Sequence, residues 1–365
     1  MSDNTGDAER PVSVFLDACV FEGKAFHYEN PVFQAIVARA ETGQIELIIP
    51  DVTRREVLSR IAKSVRKARK ALTEFRKSAG ALRSLVASPL AGAFGDVDWG
   101  SLRKQMEQRF SRFLETAHVQ VLAVATTDGA DVLDDYFGCK APFGSSMEKS
   151  EFPDAFALRA LLRHAASSGR RITVVSADKD WKAMCKQYNA LERAESPEEV
   201  LERSLAAATP APEDLRSMLE PHRTTLEDRV LDSFRCRGFY LVSDELADAE
   251  INETSDEEIV SWNWAVIDQD EHVAEIAGDA KISFGVHVTY PDPDMCHWDS
   301  EDQEMMVFGY ESARLLARAA VPVTFKVNLD ELVNGGLDVE ELVVNDGADV
   351  SISDYDVEER WSRDG

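Results

Sequence analysis

Short, mostly apolar runs punctuate the first half of the chain. Val12 to Leu16 (VSVFL), Ile45 to Ile49 (IELII), Val119 to Val124 and Ile172 to Val175 (ITVV) each give way to polar or turn residues. Between them lie helical patterns over Pro31 to Ala40, Arg54 to Val86, Leu102 to Thr116, Ala155 to Ser167 and Trp181 to Leu191. Short β-branched strands alternating with helices predict a parallel sheet covered on both faces, an α/β/α sandwich.

The second half changes period. Ile282, Phe284, Val286, Val288 and Tyr290 alternate with polar residues, as do Val321, Val323, Phe325, Val327 and Leu329. Period-two alternation predicts strands with one buried and one wet face, hence an antiparallel, β-rich C-terminal domain. Residues 261–268, 272–278 and 341–352 are expected as further strands, with one helix near 310–319. A softer stretch with prolines at 210 and 212 separates the halves. The expected domains are 1–195, a helical linker 196–238 and an acidic β-rich domain 239–365.

Charge sharpens this division. Of the formal charge of −27, nearly all belongs to residues 221–365, which hold 10 Lys and Arg against 35 Asp and Glu; residues 1–220 hold 30 against 32. Five cysteines at irregular spacing, with no CxxC, and seven histidines, with no HExxH, argue against a disulfide framework and against zinc. No P-loop, GxGxxG or GxSxG occurs. A polar start, MSDNTGDAER, and the lack of any long apolar run give a cytoplasmic expectation, with no membrane partner.

Four carboxylates stand near strand ends or helix starts, where ligands of open parallel sheets bind. Asp17 ends VSVFL; Glu56 follows IELIIP; Asp154 lies in EFPDAFAL; Asp178 lies in VVSADKDW. Three of them also read as caps: TRRE, residues 53–56, as a capping box, Pro153-Asp154 as a helix start, and Asp178 as an N-cap. Asp17 has no obvious helix after it, and a carboxylate among apolar neighbours is costly unless paired or metal-bound. Clustered carboxylates repel one another, and a hard divalent cation such as Mg²⁺ removes the conflict.

In order and context, VFLDACVF, PDVTRREV, EFPDAFAL and VVSADKDW resemble the four acidic motifs of PIN domains, over about residues 11–190. The long gap between Glu56 and Asp154 resembles a larger bacterial PIN-like subgroup, the DUF4935-type proteins. PIN domains are metal-dependent nucleases, mostly acting on RNA. The resemblance implies a PIN-like fold in which Asp17, Glu56, Asp154 and Asp178 are catalytic and hold Mg²⁺ or Mn²⁺, and activated water cleaves a phosphodiester to leave a 5′-phosphate. It further implies Ser176 as a supporting residue and Asp180 as the alternate to Asp178. Ala18 and Cys19 stand where the family often has hydroxyl and amide side chains, so Asp17 is expected to have little hydrogen-bonding help.

Between Arg54 and Arg83 there are eleven Lys and Arg and two Glu. Arg60, Lys63, Lys67 and Lys70 fall on one helix face near Glu56 and are the candidate nucleic-acid contacts; the alternative is a solvated amphipathic face. The expected function is therefore a metal-dependent endoribonuclease with RNA as substrate and DNA left open. Two other readings stand beside it: an inactive PIN-like scaffold whose β domain is an interaction module, and a toxin or phage-defence effector. For the acidic domain, solubility, a basic protein partner and an intramolecular contact are the alternatives, and a homo-oligomer is left open.

Overall fold

Five short strands, β1 (Val12–Leu16), β2 (Ile45–Pro50), β3 (Gln120–Leu122), β4 (Ile172–Val175) and β5 (Leu191–Ala194), form a parallel sheet in the order β3-β2-β1-β4-β5. The computed structural model describes residues 11–79, 89–126, 129–143, 151–205, 210–243, 246, 249–299 and 304–362. The chain divides into two compact units, Met1–Val200 and Leu201–Gly365. Residues 80–88, the end of the long predicted helix with Arg83, lie outside the described residues, as does the polar start.

In the first unit the helices are α1 (Ala18–Gly23), α2 (Pro31–Glu41), α3 (Asp51–Ser78), α4 (Trp99–Thr116), α5 (Gly129–Phe137), α6 (Phe152–Ser168) and α7 (Lys179–Gln187). Local chemistry sets several ends: Asn30 Oδ1 accepts from the Phe33 amide at 2.9 Å with Pro31 at the first helical position, and Gly169 takes φ 67° to close α6. One core layer holds Phe15, Leu158, Leu161, Val174 and Trp181. Another aromatic group joins Phe21, Tyr28, Phe33, Phe110 and Phe113, with Phe33 and Phe113 rings 5.3 Å apart. Two elements differ from expectation. A helix does follow Asp17, and Leu191 is not the end of α7 but the start of β5: Tyr188 has extended dihedrals, and Leu191 pairs with Ile172.

The second unit is an antiparallel sheet built on three long strands, β7 (Glu250–Gln269), β8 (Val273–Pro291) and β11 (Tyr310–Asn328). Two shorter strands, β12 (Val339–Val344) and β14 (Asp354–Ser362), share the other edge of β11, while β6 (Phe239–Leu241) and β13 (Val350–Ile352) pair separately and β9 (Cys296–Asp299) and β10 (Glu304–Val307) form a hairpin. The alternating residues of β8 and β11 point into the core as expected. Gly278 is required where β8 meets β7, since a Cβ there would come within 2.1 Å of the Asn263 carbonyl oxygen.

Residues 310–319, expected to be helical, are strand. ESARLLARAA is rich in helix formers, but β8 and β14 pair with it on both edges, and tertiary pairing outweighs a weak local preference. Nor is 196–238 a linker. The chain divides inside α8 (Pro197–Ser204), and α9 (Pro212–Leu219) and α10 (Arg223–Arg235) bury Leu215, Leu219, Leu226, Val230 and Phe234 in the same core as the sheet. Phe234 lies 5.1 Å from Phe239 and 5.2 Å from Phe284, ring to ring. Among the described residues no helix is long and apolar enough to cross a membrane.

Candidate active site

In the parallel sheet the connections leave β1 toward β2 on one side and reach β4 on the other, so the crevice beyond the ends of β1 and β4 is the natural ligand site. Asp17 sits there, 6% exposed, with its amide bonded to the Val175 carbonyl at 3.1 Å. Its Oδ1 accepts from the Ala18 amide at 2.7 Å and its Oδ2 from the Ser176 hydroxyl at 2.9 Å. Ser176, fully buried, also accepts from the Asp178 amide at 3.1 Å. Asp17 therefore has the hydrogen-bonding help that its neighbours' side chains did not promise: it comes from the Ala18 backbone and from β4. The Cys19 sulfur lies 3.6 Å from the Ser176 oxygen, and burial followed by the Asp17 charge pushes the Cys19 thiol up to about 11.

The cap readings divide. Asp178 caps α7, its Oδ1 accepting from the Asp180 amide at 2.9 Å, and Asp17 caps α1. Asp154 stands in the first turn of α6, whose cap residue Glu151 makes no side-chain cap bond. Glu56 belongs to no capping box, because α3 begins at Asp51 and Thr53 is already inside it, buried. Instead, Glu56 Oε1 accepts from Arg60 Nε at 3.0 Å and from Nη2 at 2.8 Å, while Arg60 Nη1 donates to Glu22 on α1.

Asp154 feels the charges of the other three predicted acids. Burial, and after it the carboxylates of Asp17, Glu56, Glu151 and Asp178, push the Asp154 carboxyl up to about 8. Each of those charges disfavours ionisation of Asp154. The donors are all hard oxygens, the set that suits Mg²⁺ or Mn²⁺. As they stand, no group of three or more His, Cys, Asp or Glu among the described residues is spaced to hold an ion.

Of the candidate nucleic-acid contacts, Lys63, Lys67 and Lys70 are exposed on α3, and Lys70 pairs with Glu74 at 3.6 Å. At 1.5 Å per residue they run from about 10 to about 21 Å along the helix axis from Glu56. Arg60 differs from them: it is half-buried and committed to two carboxylates.

Residues 14–181 match the family model of the PIN domain. This segment is a PIN domain. It covers all four acidic motifs, and PIN domains are in general nucleases, hydrolases of phosphodiester bonds. The match is to the PIN domain as such and does not bear on the DUF4935-type subgroup. No curated protein and no solved structure matches the chain.

Two further acids bear on this site, Glu151 and Glu22, and neither is among the sequence candidates. Glu151 precedes Asp154 by three residues at a helix start, a spacing that puts both on one face and was legible in EFPDA. Glu22 meets Arg60 only because α1 forms and lies against α3, and nothing in ACVFEG signals that contact.

Proposed function

We propose that the PIN domain is a metal-dependent endoribonuclease in which Asp17, Glu56, Asp154 and Asp178 hold Mg²⁺ or Mn²⁺. The observation that carries this reading is the Asp154 carboxyl, raised to about 8 by burial and by four surrounding carboxylates. Such a cluster is stable as a set of anions only when a cation compensates it. A divalent cation there would polarise a phosphoryl oxygen and lower the pKa of a bound water.

The chain's own residues divide the remaining work. The Ala18 amide and the Ser176 hydroxyl fix both oxygens of Asp17 and favour its charged form. Burial and the neighbouring carboxylates keep a proton on Asp154 at neutral pH, so loading the site at pH 7 releases that proton. Lys63, Lys67 and Lys70 hold backbone phosphates along α3, and the C-terminal unit, strongly acidic, repels the polyanion.

One observation favours a second reading, a PIN-like scaffold that binds nucleic acid without cutting it: Glu56 is engaged by Arg60 rather than left open. Single-stranded RNA and DNA incubated with the protein in Mn²⁺, with and without EDTA, separate the two. A nuclease cleaves RNA to 5′-phosphate products and stops in EDTA; a scaffold binds with strong salt dependence and leaves the strand intact.

A further inference from the structure

We propose that Arg60 is an internal counter-ion that competes with the divalent cation for Glu56, and is not a phosphate-binding residue. The inference rests on the metal-dependent reading of the same site. Two N–H groups of one guanidinium converge on a single oxygen, Glu56 Oε1, at 3.0 and 2.8 Å, and the remaining arm of the fork reaches Glu22. Glu56 is one turn before Arg60 on α3, and Glu22 is on α1, the helix that Asp17 caps. The triad thus spans two of the helices that border the site, α1 and α3.

Arginine suits this place because its planar fork serves two carboxylates at once, which a lysine cannot do with the same geometry. A guanidinium at one edge of a carboxylate site supplies part of the compensation that a metal ion would supply. It also repels that ion and occupies a lone pair the ion would use. The side chains of Arg60 and Glu56 are each about a third exposed, at 33% and 31%, so the contact is open to water and can be exchanged without opening the core. Arg60 is a positioning residue on this account: it decides when Glu56 is available.

Isothermal titration of Mn²⁺ into the full-length protein tests the proposal without reference to cleavage. Arg60→Gln binds Mn²⁺ roughly tenfold more tightly than wild type, the size expected of one partly screened unit charge. Arg60→Lys, which keeps the charge and loses the fork, falls between the two, and it supplies the comparison should Arg60→Gln fold poorly by circular dichroism. Equal or weaker binding in the folded variants overturns the competition while leaving the metal site standing. If neither wild type nor either variant binds Mn²⁺, the metal-dependent reading falls and this inference falls with it.

Discussion

Ser176 and Asp17 are 159 residues apart in the chain and 2.9 Å apart in the fold, with the serine hydroxyl donating to the aspartate across the neighbouring strands β4 and β1. The same oxygen accepts from the Asp178 amide, so one buried hydroxyl holds two of the four acids. Ser176→Ala removes a donor and an acceptor from a fully buried position, at a cost of about 1–3 kcal/mol. Urea unfolding read by circular dichroism checks this; an unchanged midpoint would mean that water replaces the hydroxyl.

The raised Asp154 carboxyl gives the metal-free protein a pH dependence of definite sign. In the unfolded chain this group loses its proton near pH 4, but in the folded protein it keeps it to about pH 8. The native state therefore binds more protons across that window, and its stability falls as pH rises from about 4 to about 8. Melting temperatures in EDTA should show this decline, Asp154→Asn should flatten it, and saturating Mg²⁺ should oppose it above neutrality.

On α3, Lys63, Lys67 and Lys70 are exposed at spacings of four and three residues, which puts them on one helix face. The triple substitution to Gln should weaken RNA binding and lower the slope of log K against log salt by about 2, at roughly 0.7 per neutralised phosphate of a single strand. Fluorescence anisotropy between 50 and 200 mM salt measures the slope. No change in it would return this face to the role of a solvated helix surface.

Phe234 tests where the second unit begins. It is fully buried against Phe239 and Phe284, so Phe234→Ala should cost about 3–5 kcal/mol of that unit's stability. Native-state hydrogen exchange of β8 and β11 would report the loss; a linker residue would leave both strands as protected as before.

How far the sequence was legible depended on how local each cause was. The strands VSVFL and ITVV are readable because burial on both faces leaves a short continuous apolar run, and β8 and β11 because burial of one face leaves a strict alternation. Residues 310–319 form a strand against their helix-forming composition because pairing partners on both edges, not ESARLLARAA itself, decide their state. The sequence singles out four acids by their places at strand ends and helix starts, and the charges of three of them raise the carboxyl of the fourth, Asp154. What surrounds them was not legible: the Ala18 amide, the α1 helix and the Arg60 fork depend on how β1, β4, α1 and α3 come together. A periodic row of cations on a helix says nothing about which of them will find an acid.

The central claim is that these carboxylates cleave RNA through a divalent cation, and one measurement bears on it most directly. Wild type, Asp17→Asn and Asp154→Asn are incubated with labelled single-stranded RNA in Mn²⁺ and in EDTA. The account predicts cleavage by wild type in Mn²⁺ alone and a loss of about two orders of magnitude or more in each variant, given what one electrostatic group of an active site commonly contributes. Cleavage that persists in EDTA, or that survives both substitutions in folded protein, would contradict it.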